Sequence, residues 1–172
     1  MKRIILTLGM VLFCTIATTM AQKFALIDRE YILNNIPAYE MTNEQINQLS
    51  EKWQAEVEKL KEEVSNMYKT FQSDLVFLSE DMKTKRISEI AKKEQEAQNL
   101  QRKYFGADGE LYKKRESLLK PIFDEIFEAT KAIAEDNGYQ VVWDRASDMS
   151  IIYANPRIDI SNEVLLKMGY SK

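Results

Sequence analysis

Four carboxylate pairs are the residues of this sequence whose types and spacing could do acid–base or metal chemistry. They are Glu62-Glu63, Glu80-Asp81, Asp124-Glu125 and Glu135-Asp136. The two members of each pair are adjacent in segments with helical patterning, so their side chains point away from each other. A general acid and base, or the ligands of one metal ion, must instead converge on a common point. The pairs are therefore predicted to be solvated surface charge.

Other reactive groups are scarce. The sequence has no histidine, the commonest general base, and its one cysteine is Cys14. Gly106 and Gly109 lack the preceding strand and the following Lys-Ser/Thr pair of a phosphate-binding loop. The sequence thus predicts no enzyme, no cofactor and no metal site.

The N-terminus is typical of a secretory signal. Lys2 and Arg3 precede an apolar stretch over residues 4–18, and small residues lead up to a cleavage site after Ala21. We expect residues 1–21 to be removed and the protein to be exported to the periplasm, with a retained membrane anchor as the alternative. The chain carries 24 basic and 27 acidic residues, so removal of Lys2 and Arg3 would leave a net charge of −5.

A long helical hairpin is predicted over residues 42–137. Its first apolar stripe recurs at steps of three, four or seven residues, as on one face of a helix: Ile46, Leu49, Trp53, Leu60, Val64, Met67 and Phe71. Ser79 has the character of an N-cap for a returning helix. A second stripe follows: Ile87, Ile90, Ala97, Leu100, Tyr104, Ala107 and Leu111. Two such helices bury their stripes against each other in an arm about 50 Å long.

The returning helix has two expected interruptions. Gly106 and Gly109 predict a bend or loosened turn that acts as a hinge, and alanine at both positions is expected to add helix there. Pro121 predicts a kink or break near Lys120. The helix is expected to end at Asn137-Gly138.

The two ends of the chain, residues 22–41 and 138–172, are predicted to form a small β-body with a C-terminal helix. Strands are predicted at Lys23–Asp28, at Tyr139–Asp144 and, in a hairpin with the latter, at Ser150–Ala154. The fold class is therefore α+β and mostly helical, with the hairpin inserted in the sheet. A sheet this small has exposed edges and a thin core, which favours pairing with other copies.

Two features of the arm point to a partner. Large apolar side chains lie off the stripes or in excess of them: Tyr68, Phe77, Met82 and Phe105. A basic group begins the returning helix: Lys83, Lys85, Arg86, Lys92 and Lys93. The apolar residues belong either to the seam or to a client-binding surface. The basic group is either a solvated face or a contact for an anionic partner or membrane surface.

Several local sequences then carry a family resemblance. They are Phe24–Asp28, Phe105–Arg115, Lys120-Pro121-Ile122, Gly138–Asp144 and Ile158–Leu165. In this order and spacing the chain resembles the Skp/OmpH family of periplasmic chaperones, and in particular the Bacteroidetes-type OmpH family outer membrane proteins.

The resemblance implies a homotrimer that joins three small sheets in a central body, with three arms around a cavity. Unfolded outer-membrane proteins would be held in that cavity without ATP. The body residues we expect in the trimer contact are Phe24, Leu26, Val141, Val142, Ile151 and Ile152. The best-known family members are strongly basic, whereas this chain is acidic.

Two other functions are weighed against a chaperone. A structural envelope protein could use the arm as a spacer or tether. Nucleic-acid binding by a basic coiled arm is disfavoured by the export signal and by the acidic net charge.

Overall fold

Two parallel strands and five α-helices make up the fold in the computed structural model, which describes residues 22–147 and 151–170. Residues 1–21, with the predicted signal and Cys14, lie outside the described part. In chain order the elements are β1 (Lys23–Ile27), α1 (Arg29–Asn34), α2 (Pro37–Asp74), α3 (Glu80–Phe105), α4 (Glu110–Asn137), β2 (Tyr139–Asp144), a 3₁₀ turn (Pro156–Ile158) and α5 (Ser161–Lys167).

The sheet joins the two ends of the chain. β1 and β2 pair in parallel, with Phe24 opposite Val141 and Ile27 opposite Asp144. Parallel strands need a long crossover connection, and here the crossover contains the helices α1 to α4. The predicted class, a mostly helical α+β fold with a long hairpin inserted in a small sheet, is confirmed.

The predicted strand at Ser150–Ala154 is wrong for its described part. Residues 151–155 have no regular secondary structure, and Ser150 lies outside the described residues. The chain instead crosses to the far side of β1, where Asp159 bridges Leu26 and the Ile160 amide donates to the Leu26 carbonyl oxygen at 2.9 Å. A strand needs a neighbouring edge, and this route takes the backbone away from the free edge of β2.

The first arm helix begins earlier than predicted. α2 starts at Pro37, and Ile36 is its N-cap. The helical pattern of the sequence predicts a start at residue 42, five residues later. Proline is well suited to the first helical position, because the amide hydrogen that it lacks would have no partner there.

The predicted hairpin is present, and Ser79 caps the returning helix by accepting from the Met82 amide at 3.3 Å. Four seam side chains are buried: Ile46, Val57, Ile90 and Ala97. Sequence reasoning omitted Val57, although it lies four residues after Trp53. Ile87, a member of the second predicted stripe, is 55% exposed.

The predicted interruption at Gly106–Gly109 separates α3 from α4. Both glycines are extended, with φ near −63° and −70°. Opposite this gap α2 continues without a break, so one helix of the arm remains continuous there. A kink or break is predicted near Lys120, and α4 runs without a break through Pro121. Gly138 ends α4 with φ of 70°, as its C-cap role requires.

The main core lies at the base of the arm. One face of α4 packs there against the sheet, α1, α5 and the start of α2. The buried residues of this core include Ala25, Ile32, Ile46, Leu119, Ile122, Ile126, Ile133 and Val164. Among the described helices, none combines the length and apolar character needed to cross a membrane.

Candidate functional site

The apolar residues predicted to lie off the seam are all exposed in the structure. They are Tyr68, Phe77, Met82 and Phe105. Phe77 and Met82 flank the turn at the tip, whereas Phe105 ends α3 about 38 Å away along the helix. The four side chains therefore do not form one site. They are distributed along the wall of the arm.

The tip exposes more apolar surface than the sequence analysis recognised. Val76 and Phe77 are 88% and 86% exposed, and Leu75 is also exposed. The turn is held by the Phe77 amide, which donates to the Asp74 carbonyl oxygen at 2.8 Å. The signal in the sequence is the run of four apolar residues from Leu75 to Leu78, which matches no helical period.

The predicted basic group is divided by ion pairs. Lys83 contacts Glu80 at 2.7 Å, and Lys93 reaches across the hairpin to Glu63 at 2.9 Å. The hydrogen bond to Glu63 raises the pKa of Lys93, while partial burial opposes it. Three members are exposed and form no ion pair within residues 22–147 and 151–170: Lys85, Arg86 and Lys92. These three remain available to an anionic partner.

An aromatic cluster braces the arm just before the Gly106–Gly109 gap. The Trp53 and Tyr104 rings stack with centroids 4.6 Å apart, and the Tyr104 hydroxyl donates to Glu56 Oε2 at 2.7 Å. That hydrogen bond is the main reason why the pKa of Tyr104 is raised, with burial adding to it. The cluster ties α2 to α3 where α3 ends.

The sheet presents an apolar face away from the helices. Phe24, Val141 and Trp143 are exposed on it, and the Phe24 and Trp143 rings lie 5.5 Å apart. Two other residues predicted for the trimer body are used within the chain: Leu26 is buried, and Val142 packs against the main core. Ile151 is half-buried, and Ile152 is 99% exposed.

A groove that sequence reasoning missed lies between α4 and β2. It has a volume of about 400 Å³ and is lined by Phe123, Phe127 and Val142 among others. The Arg29 guanidinium sits 5.7 Å from the Phe123 ring centroid and pairs with Asp144 at 3.1 Å. The signal in the sequence is the four-residue spacing of Phe123 and Phe127, beside the core stripe of α4.

Asp144, at the end of β2, is a carboxylate whose surroundings lower its pKa. Partial burial acts to raise its pKa, but this is outweighed by hydrogen bonds from Ser147 and from the Arg29 and Ala146 amides, and by the Arg29 charge, so the pKa is lowered. A lowered pKa keeps the group ionised, as a structural ion pair requires. Within the described residues no cluster of three or more acidic, histidine or cysteine side chains could hold a metal ion.

Known proteins with the same architecture match this chain. Residues 23–168 match the family model described as outer membrane protein (OmpH-like). A crystal structure from Caulobacter crescentus CB15, assigned as an OmpH-like outer membrane chaperone, matches with a TM-score of 0.68 at 13% identity, covering 86% of this chain and 83% of that one. At this identity the structural match shows the fold alone. No curated protein matches the sequence significantly.

Proposed function

Because the chain belongs to the OmpH-like outer membrane protein family, we propose that it is a holdase, a chaperone that binds unfolded outer-membrane proteins without ATP and prevents their aggregation. Membership confirms the family resemblance seen in the sequence. Proteins of this family are periplasmic chaperones and not enzymes. The proposed location is the periplasm, reached by cleavage of residues 1–21.

The observation that carries the proposal is the distribution of exposed apolar side chains along the arm. Tyr68, Phe77 and Phe105 lie outside the seam at different positions along the length of the arm. An unfolded client offers many scattered apolar groups, and separate weak contacts can hold it without imposing one ordered structure. A single tight pocket would instead order the client and oppose its release.

We further propose that three copies assemble through the body. Phe24, Val141 and Trp143 leave an apolar sheet face open, and Ile152 is almost fully exposed. Large exposed apolar patches of this kind mark interaction sites. Three copies joined there would carry their arms around a common space for the client.

The exposed cations would contribute to the rate of capture. Lys85, Arg86 and Lys92 can attract an anionic client or an anionic membrane surface, since exposed charges accelerate encounter more than they tighten binding. Neutralising all three with glutamine should slow capture and flatten its dependence on salt.

Light scattering of a denatured β-barrel protein, diluted with and without the chain, tests the holdase proposal. The parent should suppress scattering, and Tyr68→Ser, Phe77→Ser and Phe105→Ser combined should weaken suppression while assembly persists. The control combines Met41→Ser and Leu166→Ser, which remove exposed apolar side chains at the base of the arm and on α5.

Equal suppression by the triple variant and the parent would contradict the role of the arm wall. No suppression by the parent, together with stable binding to one folded envelope protein, would favour the spacer or tether.

A further inference from the structure

The groove beside β2 continues along α4 towards the arm. A second hollow of about 440 Å³ meets the first at Phe123, which lines both, and its other lining residues include Leu119 and Tyr112. We call the two hollows together the long groove, which follows α4 from Tyr112 to Lys131. At 1.5 Å per residue of helix it is about 28 Å long. An extended peptide of about eight residues has the same length.

The apolar side chains of the long groove are spaced to match an extended chain. Leu119, Phe123 and Phe127 follow one another at four-residue steps, and each step advances about 6 Å along α4. Alternate side chains of a β-strand lie about 6.6 Å apart and point to the same side. Leu119 is buried, whereas Phe123 is 38% and Phe127 63% exposed. One face of a strand could therefore cover the two aromatic rings, which is favourable because it removes them from water.

The neighbouring sheet has a second feature that suits a strand. β2 follows α4 directly in the chain and contributes Val142 and Asp144 to the lining of the groove. Within residues 22–147 and 151–170 the sheet has two strands, so one edge of β2 has no ladder partner there. Free strand edges pair readily with an added extended segment. A segment that lies along β2 can thus satisfy its own backbone hydrogen-bonding groups.

The charges that line the groove add a further constraint. At the β2 end Arg29 is paired with Asp144 at 3.1 Å. Lys131 is exposed and forms no ion pair in the described part of the chain, which leaves the lining at this end positive. At the other end the lining has equal numbers of basic and acidic residues: Arg115, Glu116, Lys120 and Asp124. The groove therefore favours an occupant with carboxylates among its polar side chains over one with ammonium groups.

We propose that the long groove binds one extended segment of the client in which apolar and polar residues alternate, with its apolar side chains over Phe123 and Phe127. This inference rests on the proposed holdase function and adds a rule for selecting clients. The membrane-spanning strands of β-barrels alternate in this way, so the groove recognises the pattern of a strand and not one particular sequence. It orders a single short segment and leaves the rest of the client to the scattered contacts of the arm.

Fluorescence anisotropy with two labelled peptides of the length of the groove tests the proposal. Both contain the same Val, Tyr, Thr and Glu residues, which alternate between apolar and polar in one peptide and are grouped into an apolar and a polar half in the other. Residues 22–172 should bind the alternating peptide about tenfold more tightly. Phe127→Ser should weaken this binding about fivefold or more. Leu166→Ser is the matched control, because Leu166 on α5 is also 63% exposed, and it should bind like the parent.

The charge of the groove is tested with the same assay. Lys131→Gln should weaken binding of the alternating peptide that contains Glu, and should leave unchanged the binding of a version in which Thr replaces every Glu. Equal loss for both versions would contradict the role of Lys131 in the proposal.

Sedimentation and aggregation measurements distinguish this inference from the proposed function. Phe127→Ser should assemble like the parent, and a loss of assembly would assign the groove to a second copy and overturn the inference. Equal binding of the two peptides by the parent, or parental binding by Phe127→Ser, would also overturn it, and suppression of aggregation by the parent would then leave the holdase function in place. A parent that binds the alternating peptide through Phe127 but does not suppress aggregation would support the groove and contradict the holdase function.

Discussion

Replacing Gly109 by alanine is expected to destabilise the junction between α3 and α4. A Cβ on Gly109 would lie 2.7 Å from the Tyr104 carbonyl oxygen and 2.9 Å from the backbone N and O of Gly106, whereas ordinary contacts begin at 3.4 Å. Backbone atoms cannot rotate away from the added methyl group. The φ of −70° at Gly109 is open to alanine, so the cost comes from overlap and not from a strained dihedral.

The expected size follows from two opposing effects. Overpacking costs about 1–3 kcal/mol, and the smaller conformational freedom of alanine in the unfolded chain offsets about 0.4–1 kcal/mol of this. The free energy of unfolding should therefore fall by about 1–2 kcal/mol, which lowers Tm by about 3–6 °C in a chain of this length. This outcome differs from the sequence-based expectation that alanine simply adds helix.

Circular dichroism melts and amide hydrogen exchange over residues 104–113 measure the effect. Gly109→Ala should lower Tm and accelerate exchange at this junction. Gly138→Ala is the control, because Gly138 has φ of +70° and no atom within 4 Å of its Cβ position. It should also lower Tm, through backbone strain, but leave the junction protected. An unchanged Tm with unchanged exchange in Gly109→Ala would refute the close approach at the junction.

Three further predictions concern packing and charge. Ile90→Ala should lower the free energy of unfolding by about 2–5 kcal/mol, whereas Ile87→Ala should change it by less than about 1 kcal/mol, because Ile90 is 2% and Ile87 55% exposed; urea unfolding measures both. Because the pKa of Tyr104 is raised in the folded protein, this residue stabilises the fold below its ordinary pKa, and the stabilisation is lost as pH rises through the folded value. Tyr104→Phe should remove that alkaline loss of stability, and melts between pH 8 and 11 test this. Because the pKa of Asp144 is lowered in the folded protein, this residue stabilises the fold above its ordinary pKa, and the stabilisation is lost as pH falls through the folded value. Asp144→Asn should remove part of that acid-induced loss of stability. Melts of the variant between pH 2 and 6 should therefore show a shallower decline of Tm than melts of the parent.

Local signals in the sequence predicted most of the elements. Ser79 marks the start of α3 and Gly138 the end of α4, because a capping hydroxyl and a left-handed glycine act within a few residues. The β-branched and aromatic residues of Tyr139–Asp144 identified β2. The two apolar stripes predicted the hairpin, since both helices bury a face at the helical period.

Tertiary context decided the features that were mispredicted. Pro37 has the same local chemistry at a helix start and after a helix stop, and only the packing of α2 selects the start. Ile87 fits the period of the seam, but its side chain is exposed in the structure. The residues around Ile152 have strand propensity, yet this single chain offers them no edge along their route.

The candidate surfaces were only partly predictable, for a similar reason. Off-stripe position identified Tyr68 and Phe77 as exposed. Whether Lys83 and Lys93 are free depends on acidic residues one turn away and across the hairpin, and the latter pairing requires the register of the two helices. The Phe123–Phe127 groove required knowledge of how α4 meets β2.

The central claim is that the assembled arms hold an unfolded outer-membrane protein. Sedimentation velocity of residues 22–172, alone and mixed with a denatured, fluorescently labelled β-barrel protein, tests it most directly. We expect an elongated trimer alone, and in the mixture one boundary that contains both the trimer and the labelled protein. A compact monomer at micromolar concentration, with the labelled protein lost to the pellet, would contradict the claim.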